Sequence, residues 1–196
     1  MRRITVLGLT VMVLLSLAGT AGALTTVYTD KATWAANLSG PALTETFADA
    51  ILNPGVSYTS SESGHINPSE EYYQDVLTSN SANEPMTTWS FIPQITAYGG
   101  NWTLGGPGGS GNSLLVYVND LSHYVGFISN TYGGEFWGFT STTPFTSVIL
   151  KGATGSNQQI YQLDNMVYAP VPVPGTVWLL GGGLLIGLLP RLRRLA

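Results

Sequence analysis

Gly106-Pro107-Gly108-Gly109-Ser110-Gly111-Asn112-Ser113-Leu114-Leu115-Val116-Tyr117-Val118 is the stretch on which the fold class turns. Its glycines satisfy the Gly-x-Gly-x-x-Gly spacing of a dinucleotide-binding turn. That turn needs a helix directly after it, so that the helix N-terminus can meet the pyrophosphate. Here a β-branched and aromatic run of strand length follows instead. No Lys-Ser or Lys-Thr completes a phosphate loop either. The glycines read as an inter-strand loop, and the chain as all-β.

Outward from this loop the same grammar repeats. Runs rich in Thr, Val, Ile, Tyr, Phe and Trp are punctuated by Gly, Asn, Ser and Pro: Leu43 to Phe47, Thr88 to Ile92, Gln94 to Tyr98, Asn101 to Leu104, Leu114 to Val118, Tyr124 to Ser129, Glu135 to Thr140, Thr146 to Lys151 and Gln159 to Ala169. Nine short strands without a long 3.6-residue period predict a two-sheet antiparallel sandwich of the jelly-roll type. One short N-terminal helix interrupts the pattern between Asp30 and Leu38. Thr29 or Asp30 caps it, Trp34 and Leu38 share a face, and Gly40-Pro41 stops it.

Both ends of the chain differ from this body. Arg2 and Arg3 precede an apolar run from Ile4 to Leu17, and Ala21-Gly22-Ala23 supplies the small-x-small pattern of a signal-peptidase site, which predicts a signal peptide over residues 1–23 and a mature start at Leu24. At the other end Val171-Pro172-Val173-Pro174-Gly175 forms a proline-rich hinge. An uncharged run from Thr176 to Leu189 follows, and then Arg191, Arg193 and Arg194. As a helix that run spans about 21 Å, against ~30 Å of bilayer hydrocarbon, so it reads as a short membrane segment that is to be handled and cut. The arginines at both ends predict that the termini stay on the cytoplasmic side.

Residues 24–169 make one domain of ordinary size. Lys31 and Lys151 are its only cations against eleven carboxylates, a net charge of about −9. This excludes a nucleic-acid role and disfavours polyanionic ligands. The chain has no cysteine, which excludes disulfides, thiolate metal sites and thiol catalysis.

The hinge Pro172 to Pro174, the segment Val177-Trp178-Leu179-Leu180-Gly181-Gly182-Gly183-Leu184-Leu185 and the closing arginines resemble the PEP-CTERM exported proteins of Gram-negative bacteria. Val173 stands where that family carries Glu, as in a Val-Pro-x-Pro-Gly variant. The resemblance implies that residues 170–196 are a sorting tail processed by an exosortase-type membrane protease. It also implies passage through the inner membrane and delivery to the cell surface or an exopolysaccharide (biofilm) matrix; a plain C-terminal anchor is the alternative. The body resembles a lectin-like sandwich through Tyr98-Gly99-Gly100-Asn101-Trp102, Phe136-Trp137-Gly138-Phe139-Thr140-Ser141, Pro144-Phe145-Thr146-Ser147-Val148 and Tyr161 to Tyr168.

Aromatic faces stack on sugar C–H surfaces, and amides and carboxylates meet sugar hydroxyls. Trp102 and Trp137, each beside glycine, are the candidate ligand platforms, with core filling as the alternative. Glu45 and Asp164, on the first and last strands, resemble the ligands of a structural calcium ion, and backbone hydrogen bonding at strand ends is their alternative. Residues 51–83, with Glu62, Glu70, Glu71 and Asp75 around His65, read as a solvated acidic loop rather than a metal site, since no ligand motif is matched. His65 and His123 are the only bases of near-neutral pKa. No Gly-x-Ser-x-Gly elbow is present, and Glu45, Asp120 and Glu135 show no spacing that pairs them for glycoside hydrolysis. The expectation is therefore a non-catalytic polysaccharide-binding protein, with a structural matrix role as the alternative and a hydrolase a remote third.

Overall fold

The computed structural model describes residues 24–77, 85–105, 113–152 and 159–172. The predicted signal peptide with Ala21 and Ala23 lies outside these residues. So do Val173, Pro174, Gly175, the apolar segment, Arg191, Arg193 and Arg194. No helix among the described residues is long and apolar enough to cross a membrane.

The body is antiparallel β-sheet with one short helix. In chain order it comprises β1 (Thr25–Tyr28), α1 (Lys31–Ala36), β2 (Leu43–Glu45), β3 (Val56–Ser60), β4 (His65–Asn67), β5 (Tyr72–Leu77), β6 (Met86–Gly105), β7 (Leu114–Val118), β8 (Tyr124–Ile128), β9 (Gly133–Gly152) and β10 (Gln159–Pro170). Hydrogen bonds run β4-β5-β10-β6-β9-β7-β8, with β1 on β9, β2 on β10 and β3 on β6.

The expected two sheets are thus two layers of one ladder. β6 and β9 are 20 residues each, and both fold over near their middles, where the register breaks between Ser90 and Ile95 and again between Ile95 and Ala97, the second opposite the Thr140–Phe145 stretch. Their outer halves form one layer with β3, β7 and β8; their other halves form the second with β1, β2, β5 and β10. The predicted breaks at Pro93 and around Thr142 to Pro144 are bends within strands rather than strand ends.

The layers meet through aromatic rings. Trp89 on β6 packs edge-on against Tyr73 of β5 at 4.9 Å, and Phe139 stacks on Phe145 at 5.3 Å across the fold in β9. Such contacts add to the area that these rings bury. A polar bridge also joins the layers. The Tyr161 hydroxyl donates to Thr87 Oγ1 (2.6 Å), and Thr87 donates to Asp75 Oδ2 (2.5 Å). Tyr73 donates to the same oxygen, while the Val76 N–H donates to Oδ1. Burial, and then the nearby Asp75 carboxylate, push the Tyr73 phenol well above its ordinary range.

Two expectations meet different outcomes. The helix is present: Asp30 caps it by accepting from the Thr33 N–H at 2.7 Å and the Thr33 hydroxyl at 2.6 Å, which holds the Asp30 carboxyl below its usual value. Residues 51–77 are no solvated loop, because they contain β3, β4 and β5, and Asp75 is fully buried; residues 78–83 lie outside the described residues. His65 is exposed, with its Nδ1 2.9 Å from the Ser63 carbonyl oxygen. Among the described residues no three His, Asp or Glu side chains gather as metal ligands would.

Candidate functional site

On the β5–β10–β6 part of the sheet, residues one apart face opposite ways. Tyr73, Leu163 and Trp102 stand in register and point inward, each 0 % exposed. Their neighbours Tyr72, Asp164 and Asn101 form the next register row and point outward, followed on the same face by Gln74, Gln162 and Thr103. The outer face is therefore polar across three strands. Toward the fold-over end it is covered: Trp34 of α1 packs at 5.7 Å on Phe136, in a cluster with Ala97, Val167 and Ala169, and Trp34 Nε1 donates to the Phe139 carbonyl. The helix stops short of the polar rows.

What remains open is a cleft of about 240 Å³ lined by Glu70, Tyr72, Asn101, Thr103, Gly134, Gln162, Asp164 and Asn165. Local backbone chemistry builds its walls. Asn67 and Pro68 start the turn from β4 to β5, closed by Glu70 N–H to Asn67 O at 3.2 Å, and Glu71 takes a left-handed φ of 60°. This places Glu70 beside Tyr72, whose phenol is raised above its ordinary pKa chiefly by the hydrogen bond to the Glu70 carboxylate. On β10 the ladder bulges between Asp164 and Val167, with Asn165 at φ 48°. Asparagine tolerates that conformation, and the bulge puts two consecutive polar side chains on the cleft where a regular strand would send one to the core. At the far wall Gly134, at φ 112°, turns its carbonyl to accept from Asn101 Nδ2 at 2.9 Å.

The cleft offers one aromatic ring, two carboxylates, three amides and a hydroxyl, with no cation among its lining residues. This set can donate to and accept from adjacent hydroxyls while a ring lies against an apolar face, and it disfavours an anion. A second hollow, about 380 Å³, lies beside α1 and is lined by Leu24, Asn37, Ser39, Thr96, Thr140 and Thr142 among others. It holds neither carboxylate nor aromatic side chain.

The predicted site residues are distributed as follows. Trp102 and Trp137 are corrected: both are core, at 0 % and 2 % exposure, and Trp102 Nε1 donates to the Trp137 carbonyl at 3.1 Å. Neither ring can reach a ligand. Glu45 lies on β2, beside β10 as expected for first and last strands, but it sits opposite Met166. Its Oε1 accepts from the Phe47 N–H and its Oε2 from the Asn53 N–H, at 3.0 and 2.7 Å. Asp164 lines the cleft instead. Calcium takes six to eight oxygens, and both Glu45 oxygens already accept from backbone N–H groups.

His123 sits in the β7–β8 turn with Asp120 and Ser122. Asp120 Oδ1 and Ser122 Oγ both approach the same ring nitrogen, Nδ1, at 2.9 and 3.1 Å, and the serine donates to the aspartate. A catalytic relay needs the two partners on opposite nitrogens, so this is turn chemistry. The Ser122 hydroxyl, then its N–H and His123, hold the Asp120 carboxyl down at about 2. Glu135 likewise accepts from the Gly133 N–H.

No protein-family model matches the chain, and no curated protein sequence does. Among solved structures it is similar to family 29 carbohydrate-binding modules. One is the first such module from Piromyces equi, at 13% identity and TM-score 0.45 over 76% of this chain and 92% of that one. Another is a variant of the second module complexed with mannohexaose, at 10% identity and TM-score 0.47 over 67% and 93%. At this overlap the reading of the cleft rests on its own residues.

Proposed function

We propose that the chain is an exported, non-catalytic carbohydrate-binding protein, a jelly-roll body that holds a neutral polysaccharide in the Glu70–Tyr72–Asn101–Gln162–Asp164 cleft. The observation that carries this reading is the register itself, which lines three strands with side chains suited to hydroxyls on the one part of the face that α1 leaves open. Tyr72 supplies the ring, Asp164 and Glu70 accept from sugar hydroxyls, and Asn101, Gln162 and Asn165 both donate and accept. The net charge of about −9 on residues 24–169 favours neutral over uronate-rich polymers. A signal peptidase releases the chain at Leu24. An exosortase-type protease then acts on the tail over residues 170–196, and the product serves at the cell surface or in the extracellular matrix.

The test is binding of the full chain, in a detergent without a sugar headgroup, to neutral glucans and mannans, a uronate polymer and the host's own exopolysaccharide. Saturable binding to neutral polymers, weakened in Asp164→Ala and Tyr72→Ala, is the expected result. Binding that both variants retain would remove the cleft from the account. No binding to any polymer would leave a structural matrix protein.

A further inference from the structure

The body's last described residues are pinned to one end of the sandwich. The Val171 N–H donates to Gln94 O at 3.0 Å, and Pro172 lies against Gly40, its ring 3.6 Å from where a Cβ would stand. This is the end at which β6 and β9 fold over. Leu24 arrives there too: its carbonyl accepts from the Thr142 N–H, and its N–H donates to Thr142 Oγ1, in the bend of β9.

Aliphatic side chains from separate parts of the chain are exposed around this end. They are Leu24, Leu43, Ile51, Ile92 and Leu121, with Ile51 and Ile92 each 80 % exposed. Leu43 pairs with Tyr168 near the exit of β10. Ile51 is held close to β2, because Asn53 bonds to both Glu45 and Thr44. The Ile92 N–H donates to Gly55 O at 2.8 Å, so that loop and the bend of β6 meet. Leu121 occupies the β7–β8 turn, which Asn119 ties to Thr146 and Ser147 beside the bend of β9. Such residues scattered singly need no explanation, but five gathered where the chain leaves the body do. Of the described segments that link strands at the opposite end, 61–64 has no Val, Ile, Leu, Met or aromatic residue, and Tyr132 in 129–132 packs against the core.

Only Val173, Pro174 and Gly175 separate Pro172 from the uncharged run that starts at Thr176, so even a fully extended chain places Thr176 within about 14 Å of Pro172. We infer that the fold-over end of the sandwich is a lipid-facing surface, which rests on the bilayer while the segment from Thr176 is inserted in it. The inference depends on the membrane reading of that segment. Contact is apolar rather than electrostatic, since the body is strongly acidic and Asp49 and Asp120 lie near this end; a zwitterionic bilayer is its partner. Seated this way, the body keeps its glycan cleft, on the other half of the same layer, in water.

The chain has no cysteine, so single-cysteine labelling is free of background. Full-length Ile51→Cys, Ile92→Cys, Thr103→Cys and Leu185→Cys variants, each carrying a small fluorophore, are reconstituted into phosphatidylcholine vesicles doped with a brominated lipid. The expected result is strong quenching at residue 185 and quenching at 51 and 92 several-fold above that at 103. Quenching at 185 with 51 and 92 no more affected than 103 overturns the lipid-facing surface and leaves the membrane segment standing. No quenching at 185 overturns both.

Discussion

Along β5, β10 and β6, the row Tyr73, Leu163 and Trp102 and the row Tyr72, Asp164 and Asn101 are offset by a single residue on each strand. The first is closed off from water and ringed by aromatic neighbours, and the second lines an open cleft. Chemical type alone would assign them the other way, since tryptophan is the more familiar sugar platform and asparagine the blander residue. Phase decides, because a strand gives each side chain only one of two faces.

The comparison breaks most visibly at Trp102. Replacing it with alanine removes an indole and its hydrogen bond to the Trp137 carbonyl from a site with no room to collapse, for a loss of about 3–5 kcal/mol. That is a large part of the whole stability of such a domain. Urea unfolding measures it, and a loss under about 1 kcal/mol would mean that the inner row is not the core. Asp75→Ala comes next. It strips the acceptor from Thr87 and Tyr73 in the interlayer bridge, and a shift of about 1–3 kcal/mol in the same experiment is expected.

On the outer row the ranking of effects reverses. Tyr72→Ala or Asp164→Ala lowers affinity for a bound neutral glycan about tenfold, equivalent to ~1.4 kcal/mol, while the unfolding midpoint stays near wild type. Calorimetric titration beside thermal melting reads both quantities. A variant that melts early while still binding would show that the outer row is structural after all.

The smallest effect lies away from both rows. Asp120 is held down at about 2 by Ser122 and His123, below an ordinary aspartate at about 3.9. Its contribution to stability is therefore complete above the ordinary value and is lost as pH falls through the folded one. Carboxyl-carbon NMR should show the low midpoint in the native chain and a rise toward the ordinary value in Ser122→Ala. An unchanged midpoint in that variant would reassign the cause to His123.

Much of this was legible in the residue order. Asp30 before Lys31, with Trp34 on the inward face, announced α1, and Leu114 to Val118 announced its strand to the residue. The inward phase of Trp102 was available as well, since Tyr98, Trp102 and Leu104 share a parity that excludes Asn101 and Thr103. It was outweighed by residue type. β5 was hidden because Glu70 and Glu71 and the serines around it resemble loop, although Tyr72 to Leu77 alternates between half-buried and buried positions. Other features leave no local trace. Nothing near Asn165 signals that β10 bulges there, because a left-handed residue is imposed by the partners on both sides. That Glu45 would spend its oxygens on Phe47 and Asn53 depended on how the chain between them closes.

β10 carries the chain out of the body, and it is hydrogen-bonded along both edges, to β6 on one side and to β5 and β2 on the other. Antiparallel ladder bonds lie across the strand direction. A pull on the chain beyond Pro172 along that direction therefore loads the rows together in shear rather than opening them one at a time. The cleft is built on the same three strands, so tension between a held polymer and the exit of the chain is carried by ladders loaded in shear.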